Sequence, residues 1–339
     1  MEENKIDFVV TWVDSNDPEW QQQYDYYKTG TKGDKSKGRF REMKTFHYWF
    51  RAVEKYAPWV NKVYLITNGK FPDWINRENP KLVLVKHDDY IPKEFLPTFN
   101  SCTIELHMHK IKGLSEHFVY FNDDIILNAP TSPNYYFRNG LPCDNNKETC
   151  FNVPLYTSSE KFNIYMSMMA DIGILNAHFN RWTTARQSLK RWFGPHLGLK
   201  GLIMSSILMK QHLFVGFSNY HCEQAYLKST FQEVWDKEPG FLNASCTPFR
   251  EEVIANPYLF RYWQLAKNMF HPSKRKSYAI HISDKSCTSI MDKVLLSDDY
   301  QSVCINDTAL CTDEDFDFAL THATKLLEAK FPDKSSFEV

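Results

Sequence analysis

Residues 6–17 read IDFVVTWVDSND: a β-branched and aromatic run that stops at a polar cluster, Asp14-Ser15-Asn16-Asp17. Such runs read as short strands. The same pattern recurs three times downstream. NKVYLIT (61–67) ends in Thr67-Asn68-Gly69, PKLVLVKH (80–87) in Asp88-Asp89, and EHFVYF (116–121) in Asn122-Asp123-Asp124. Between the first two runs lies FREMKTFHYWFRAVEKYAPW, a helical stretch closed by Pro58. Between the last two lies NSCTIELHMHKIKGL, a helix expected to begin near Asn100 or Ser101 and to stop at Gly113. Strands alternating with helices build βαβ units and a mostly parallel, Rossmann-like α/β sheet with helices on both faces. In such sheets ligands bind beyond the carboxyl ends of the strands. Four polar clusters placed there are the main sign of an active site.

Beyond the first 130 residues the pattern changes. Residues 131–165, rich in Pro and Asn, read as a long excursion rather than a core element. From about 180 to 275 the chain is mainly helical, and DEDFDFALTHATKLLEAKF closes it as a last helix. The expected division is therefore 1–130 as the sheet part and 131–339 as an excursion plus a helical part, completing one catalytic unit. TGTKGDKSKGR (29–39) reads as a flexible surface loop, or as a lysine-bearing lid.

Composition narrows the function. The 339 residues carry 40 basic and 41 acidic side chains, a net charge of −1, without the basic excess that phosphate neutralisation on nucleic acid demands. The longest apolar stretch, 201–217, is broken by Lys210, Gln211 and His212 and is too short to span a bilayer. The acidic start MEENKIDFVV lacks the features of a leader, so a cytoplasmic location is expected. Cys143/Cys150 and Cys304/Cys311 could pair in an oxidising compartment. With eight scattered cysteines and no CxxC, free thiols are the expected state.

Individual residues leave alternatives open. Asp123 and Asp124 read as a divalent-metal or catalytic carboxylate pair, or as a turn. Asp17-Pro18 suits a turn or a helix cap, and Trp12 beside a strand-end Asp suits a nucleoside. His221 reads as a base, a ligand or a core histidine, and Arg250 as a phosphate contact or a surface ion pair with Glu251 or Glu252. His107 and His109 point to different faces of a helix, which argues against zinc.

Taken in order, IDFVVTWVDSNDPEW (6–20), LPTFNSCTIELHMHKIKGLSEHFVYFNDDIIL (96–127), the 221–265 region, and CINDT (304–308) with AKFPDKSSFE (329–338) resemble the four regions of the Stealth family. These are sugar-1-phosphate transferases of bacterial surface polysaccharides. They are similar to the catalytic part of the animal phosphotransferase that tags lysosomal enzymes. The resemblance implies a GT-A-like sheet and places Trp12, Asp14, Asp17, Arg41, Arg51, Asn100, Ser101 and Asn122 near the nucleotide-sugar donor. It implies His221, Asp124 and Arg250 as catalytic residues, and Asp123, Asp124, Asn306 and Asp307 as ligands of Mg²⁺ or Mn²⁺. His221 is the implied general base, with Asp124 as ligand or alternative base.

The implied reaction is attack by a glycan hydroxyl on the β-phosphorus of a UDP-sugar, transferring hexose-1-phosphate and releasing UMP. A conventional glycosyltransferase would release UDP instead, and a carbohydrate-binding protein would need no acidic strand ends. The implied partners are a nucleotide-sugar donor and a polysaccharide or lipid-linked acceptor, with no nucleic acid. A peripheral contact at the inner face of the plasma membrane is one reading of residues 181–215, where Arg181, Arg186, Lys190 and Arg191 stand beside Trp182, Trp192 and Phe193. A core-packing helix pair is the other.

Overall fold

The computed structural model describes residues 5–30, 43–150, 164–251, 254–282, 284–307 and 311–339. Eleven strands are named in chain order: β1 (Ile6–Thr11), β2 (Val63–Thr67), β3 (Leu82–Lys86), β4 (His117–Phe121), β5 (Ile125–Leu127), β6 (Phe137–Arg138), β7 (Leu141–Asp144), β8 (Gln224–Leu227), β9 (His271–Pro272), β10 (Ser277–Ile282) and β11 (Ser302–Asp307). The four runs of the sequence reading are β1 to β4. They form one sheet with β8, in the order β3-β2-β1-β4-β8. β1 pairs in parallel with both β2 and β4, and β2 with β3, while β4 and β8 are antiparallel.

Both faces of this sheet are covered, so its central strands are apolar on both sides. Side chains alternate along a strand. Phe8 and Val10 of β1, Val63 and Leu65 of β2, and Val119 and Phe121 of β4 enter one core with Trp49, Phe50 and Val53 of the Phe46–Tyr56 helix. Val9, Tyr64, Ile66, Phe118 and Tyr120 enter the other, against the Lys228–Lys237 and Tyr258–Ala266 helices. The structure is thus the α/β sheet with helices on both faces that the sequence pattern indicates.

Three readings are corrected. The 131–165 excursion holds buried core: Tyr136, Cys143 and Asp144 are within 2% of full burial, and Asp144 receives the Arg261 guanidinium at 2.8 Å. The second half of the chain is less uniformly helical than its composition indicates. It supplies β8 to the main sheet, and β10 and β11 to a second sheet of order β10-β11-β5. The helix at residue 100 is shorter than expected, running Ser101–Leu106 before a single 3₁₀ turn at Met108–Lys110. Neither Cys pairing occurs; all eight cysteines are free thiols.

Candidate active site

The order β3-β2-β1-β4 reverses direction at β1, so the crevice beyond the carboxyl ends of β1 and β4 is the topological switch point where such sheets bind ligands. The polar clusters after β1, β2 and β4 meet around it.

Beyond β1, Trp12 stacks on Phe46 with ring centroids 5.9 Å apart and planes within 2°. With Lys44, His47 and Trp74 these rings line a cleft of about 260 Å³. Burial lowers the pKa of His47, favouring its neutral form. Asp14 accepts from the Asn16 amide at 2.9 Å, closing a local turn. Asp17 occupies the cap position of the Pro18–Lys28 helix, but its carboxylate faces Lys70 at 2.9 Å, with Asp14 at 3.9 Å from the same ammonium. The hydrogen bond from Lys70 is the main cause holding the Asp17 carboxyl below its ordinary range. Gly69 makes this possible: its φ of +121° is a conformation that side-chain-bearing residues avoid, and it turns the chain after β2.

Beyond β4, the two aspartates diverge. Asp123 is exposed, whereas Asp124 turns inward. Asp124 is held from two directions. Its backbone carbonyl accepts from the Ile305 amide at 2.9 Å, and its Oδ2 accepts from the Cys304 thiol at 3.1 Å, because β11 runs antiparallel to β5 with Cys304 opposite Ile125. Nε2 of His221 stands 3.6 Å from the same Oδ2. The register of β8 explains this meeting. With Gln224 opposite Tyr120 in an antiparallel pair, the residues just before β8 lie over those just after β4. Asp124 is the principal cause of a raised His221 pKa, and burial opposes it. His221 keeps 43% of its side chain exposed, so it can reach a bound molecule.

Arg250 completes the cluster. Its Nη2 donates to Ser101 Oγ, and its loop is clamped to the segment before the Ser101–Leu106 helix: Phe99 N donates to Pro248 O at 2.8 Å, and Phe249 stacks on Phe99. Glu105 lies one helical turn after Ser101 and faces the same charges. Burial raises its pKa to about 7, with Arg250, Ser101, Tyr120 and His221 opposing that rise. Tyr120 lies 3.1 Å from Thr11 Oγ1 and donates to Asn122 Oδ1 at 2.6 Å, tying the ends of β1 and β4 together.

The structure therefore gathers Asp124, His221, Arg250, Ser101 and Asn122. Asn306 and Asp307 continue β11 past Cys304; Asn306 contacts His281 at 3.1 Å, and the Asp307 carboxylate is shielded from solvent. Two expected donor contacts stand elsewhere. Arg51 directs its guanidinium at Glu338 (3.0 Å) and the Phe331 carbonyl (2.8 Å), pinning the C-terminal segment to the Phe46–Tyr56 helix. Asn100 is fully buried as a helix cap, accepting from Cys102 N at 3.0 Å and donating to Thr247. Arg41 and most of the 29–39 loop lie outside the described residues. His107 and His109 are buried, with pKa values lowered to about 4 and about 3 by desolvation, as core histidines. The sequence reading missed Glu105, Tyr120, Cys304 and Lys70. The spacing of Glu105 four residues after Ser101, on one helix face, is the signal that would have found it.

An imidazole–carboxylate pair beside an arginine at a sheet's switch point is an arrangement that group-transfer chemistry uses. Residues 4–32 match conserved region 1 of the Stealth proteins, and residues 39–144 match conserved region 2. The chain is 38% identical to the receptor polysaccharide phosphotransferase WefC of Streptococcus gordonii, over 99% of each chain. It is 38% identical to the capsular polysaccharide phosphotransferase WcwK of Streptococcus pneumoniae over 98% of each. To the exopolysaccharide phosphotransferase cps2G of Lactiplantibacillus plantarum it is 35% identical, over 98% of this chain and 96% of that one. A solved bifunctional glycosyltransferase, WbbM in its apo form, aligns at 9% identity over 96% of this chain and 52% of its own, with a TM-score of 0.36, too distant a likeness to inform the site. The chain belongs to the Stealth family, and it is a phosphotransferase.

Proposed function

We propose that the protein transfers a sugar-1-phosphate from a UDP-sugar to a hydroxyl of a bacterial surface polysaccharide or its lipid-linked precursor. The Asp124–His221 pair next to Arg250 carries this reading. The acceptor oxygen attacks the β-phosphorus, the bond from that phosphorus to the oxygen of the departing UMP breaks, and the His221 imidazole takes the hydroxyl proton on Nδ1, the nitrogen opposite the Nε2 that faces Asp124. A carboxylate behind an imidazole orients it and stabilises the imidazolium that forms. Arg250, fixed by Ser101, neutralises the diphosphate as charge builds on the leaving phosphate. The Trp12–Phe46 cleft with Lys44 suits the donor's base and a phosphate.

A divalent cation fits one feature of the cluster. Oδ1 of Asp124 is buried with no hydrogen-bond partner among the described residues, and a hard oxygen of this kind suits Mg²⁺ or Mn²⁺. Asp124 would supply this oxygen to the ion, which would neutralise phosphoryl oxygens; Asp123 and Asp307, implied as co-ligands by the family resemblance, do not join Asp124 in the cluster of donor atoms within 4.8 Å. The imidazole and thiol that lie with Asp124 within 4.8 Å are softer donors, less suited to Mg²⁺, which leaves His221 to the proton.

The decisive experiment is product analysis. The protein is incubated with Mg²⁺, a panel of UDP-hexoses and candidate acceptor glycans, and the released nucleotide is identified. UMP, lost in the His221→Ala protein, is the expected outcome. UDP would mean attack at the anomeric carbon and would overturn the proposal.

A further inference from the structure

Between Ile172 and Cys222 the chain has six Lys and Arg residues and no Asp or Glu, although the protein as a whole carries a net charge of −1. One of the six, Arg181, is fully buried in a two-pronged pair with Glu148, and Trp192 is fully buried as well. Part of the segment is therefore core, and the rest is not. Arg186, Lys190, Lys200 and Lys210 are exposed, and so is a row of large apolar side chains. On the Gly198–Ile207 helix, Leu199, Ile203 and Ile207 recur every fourth residue, forming one stripe, and are 76%, 53% and 69% exposed. Leu189, Met209 and Leu213 are exposed in the flanking segments. Beside Leu189 and Met209 opens a cleft of about 370 Å³ walled by Trp182 and Phe193, with the Arg186 guanidinium 5.1 Å from the Trp182 ring.

Solvent-exposed Leu and Ile in a row, with exposed cations in the same and flanking segments, mark a surface that meets a partner. We propose that this face lies on an anionic lipid surface, with the Leu199–Ile203–Ile207 stripe entering the acyl boundary and the four cations at the headgroups. The charge pattern selects this occupant. A second copy of the chain, meeting this face about a two-fold axis, would set cations against cations with no carboxylate from the segment to relieve them. Anionic headgroups relieve all four, and Lys and Arg stems lie along apolar surface while their charges stay at the headgroups. No helix among the described residues is long and apolar enough to cross a membrane. The inference stands apart from the catalytic reading, because it rests on residues outside the site and its test reads binding.

The test is flotation of the full chain with phosphatidylcholine vesicles made with and without phosphatidylglycerol. The protein is expected to float with the anionic vesicles only, and less at high salt. Ile203→Asp and Ile207→Asp should each reduce the bound fraction about ten-fold or more, since each withdraws a large apolar side chain from lipid. Lys200→Glu with Lys210→Glu should reduce it as well. These positions are exposed, so circular dichroism should match the parent, and UMP release from a UDP-sugar in the presence of a soluble acceptor should persist. Absence of flotation, equal flotation with neutral vesicles, or variants that float like the parent would each overturn the proposal. So would a dimer in light scattering that the Ile203→Asp change dissociates, which would assign the face to a second copy.

Discussion

Nε2 of His221 lies 3.6 Å from Oδ2 of Asp124, and the thiol of Cys304 lies 3.1 Å from that same oxygen. Three distant parts of the chain thus converge on one carboxylate oxygen. At 3.6 Å the His221 contact is an ion pair when the imidazole is protonated rather than a short hydrogen bond.

The pairing makes the charge state of His221 depend on Asp124. The folded-state pKa is raised above 6.5 by the carboxylate. The pair therefore contributes stability that is fully present below the unfolded value and is lost as pH rises through the folded one. Asp124→Asn should lower the His221 pKa, read from its ring-proton shifts in an NMR titration. An unchanged titration would show that another group sets it. His221→Ala should cut turnover by about 10²–10⁴-fold while leaving donor affinity close to that of the parent.

Glu105 gives a dependence of the same sign, at lower pH and from a different cause. The folded protein holds its proton until about pH 7, while an unfolded chain releases it near 4.5. Between those values the folded state binds more protons, so this group's contribution to stability falls as pH rises through the window. Glu105→Gln removes that loss. Urea denaturation at several pH values should show the variant gaining on the parent from about pH 4.5 to about pH 7 and holding a constant difference above. A constant difference throughout would mean that Glu105 titrates alike in both states.

Arg181 and Glu148 form a fully buried ion pair, with N–O contacts of 2.9 and 2.7 Å. Removing one partner leaves the other charge buried. Glu148→Ala should cost about 3–5 kcal/mol in urea denaturation. Replacing both, Arg181→Met with Glu148→Leu, should recover most of the loss. A double variant as unstable as the single would locate the cost in packing instead.

Chelation tests the cation. Excess EDTA should abolish nucleotide release, Mg²⁺ should restore it, and Asp124→Asn should raise the Mg²⁺ concentration required or remove activity. Full activity in the chelator would leave Arg250 and neighbouring cations to neutralise the diphosphate.

The sequence alone determined the four parallel strands of the main sheet. Runs such as IDFVVT and KVYLIT are apolar on both faces of a strand, and each ends at a polar cluster, so period, length and punctuation agree locally. It also determined where a ligand should bind, because parallel strands bring their carboxyl ends to one edge. The family resemblance singled out Asp124, His221 and Arg250, and the structure brings them near one another. What they could not supply was register. β8 is four residues of QAYL, too short to announce itself, and only its antiparallel pairing with β4 carries His221 to Asp124. β11 reaches Asp124 through pairing with β5 across a long span of chain. Arg51 and Asn100 carry motif positions, yet Arg51 serves Glu338 and Asn100 caps a helix, since a side chain's partner is set by what packs beside it. Local pattern fixed the strands and the polar ends; long-range packing decided which of those polar groups touch one another, because the pairing energy of distant segments is written in no single stretch of sequence.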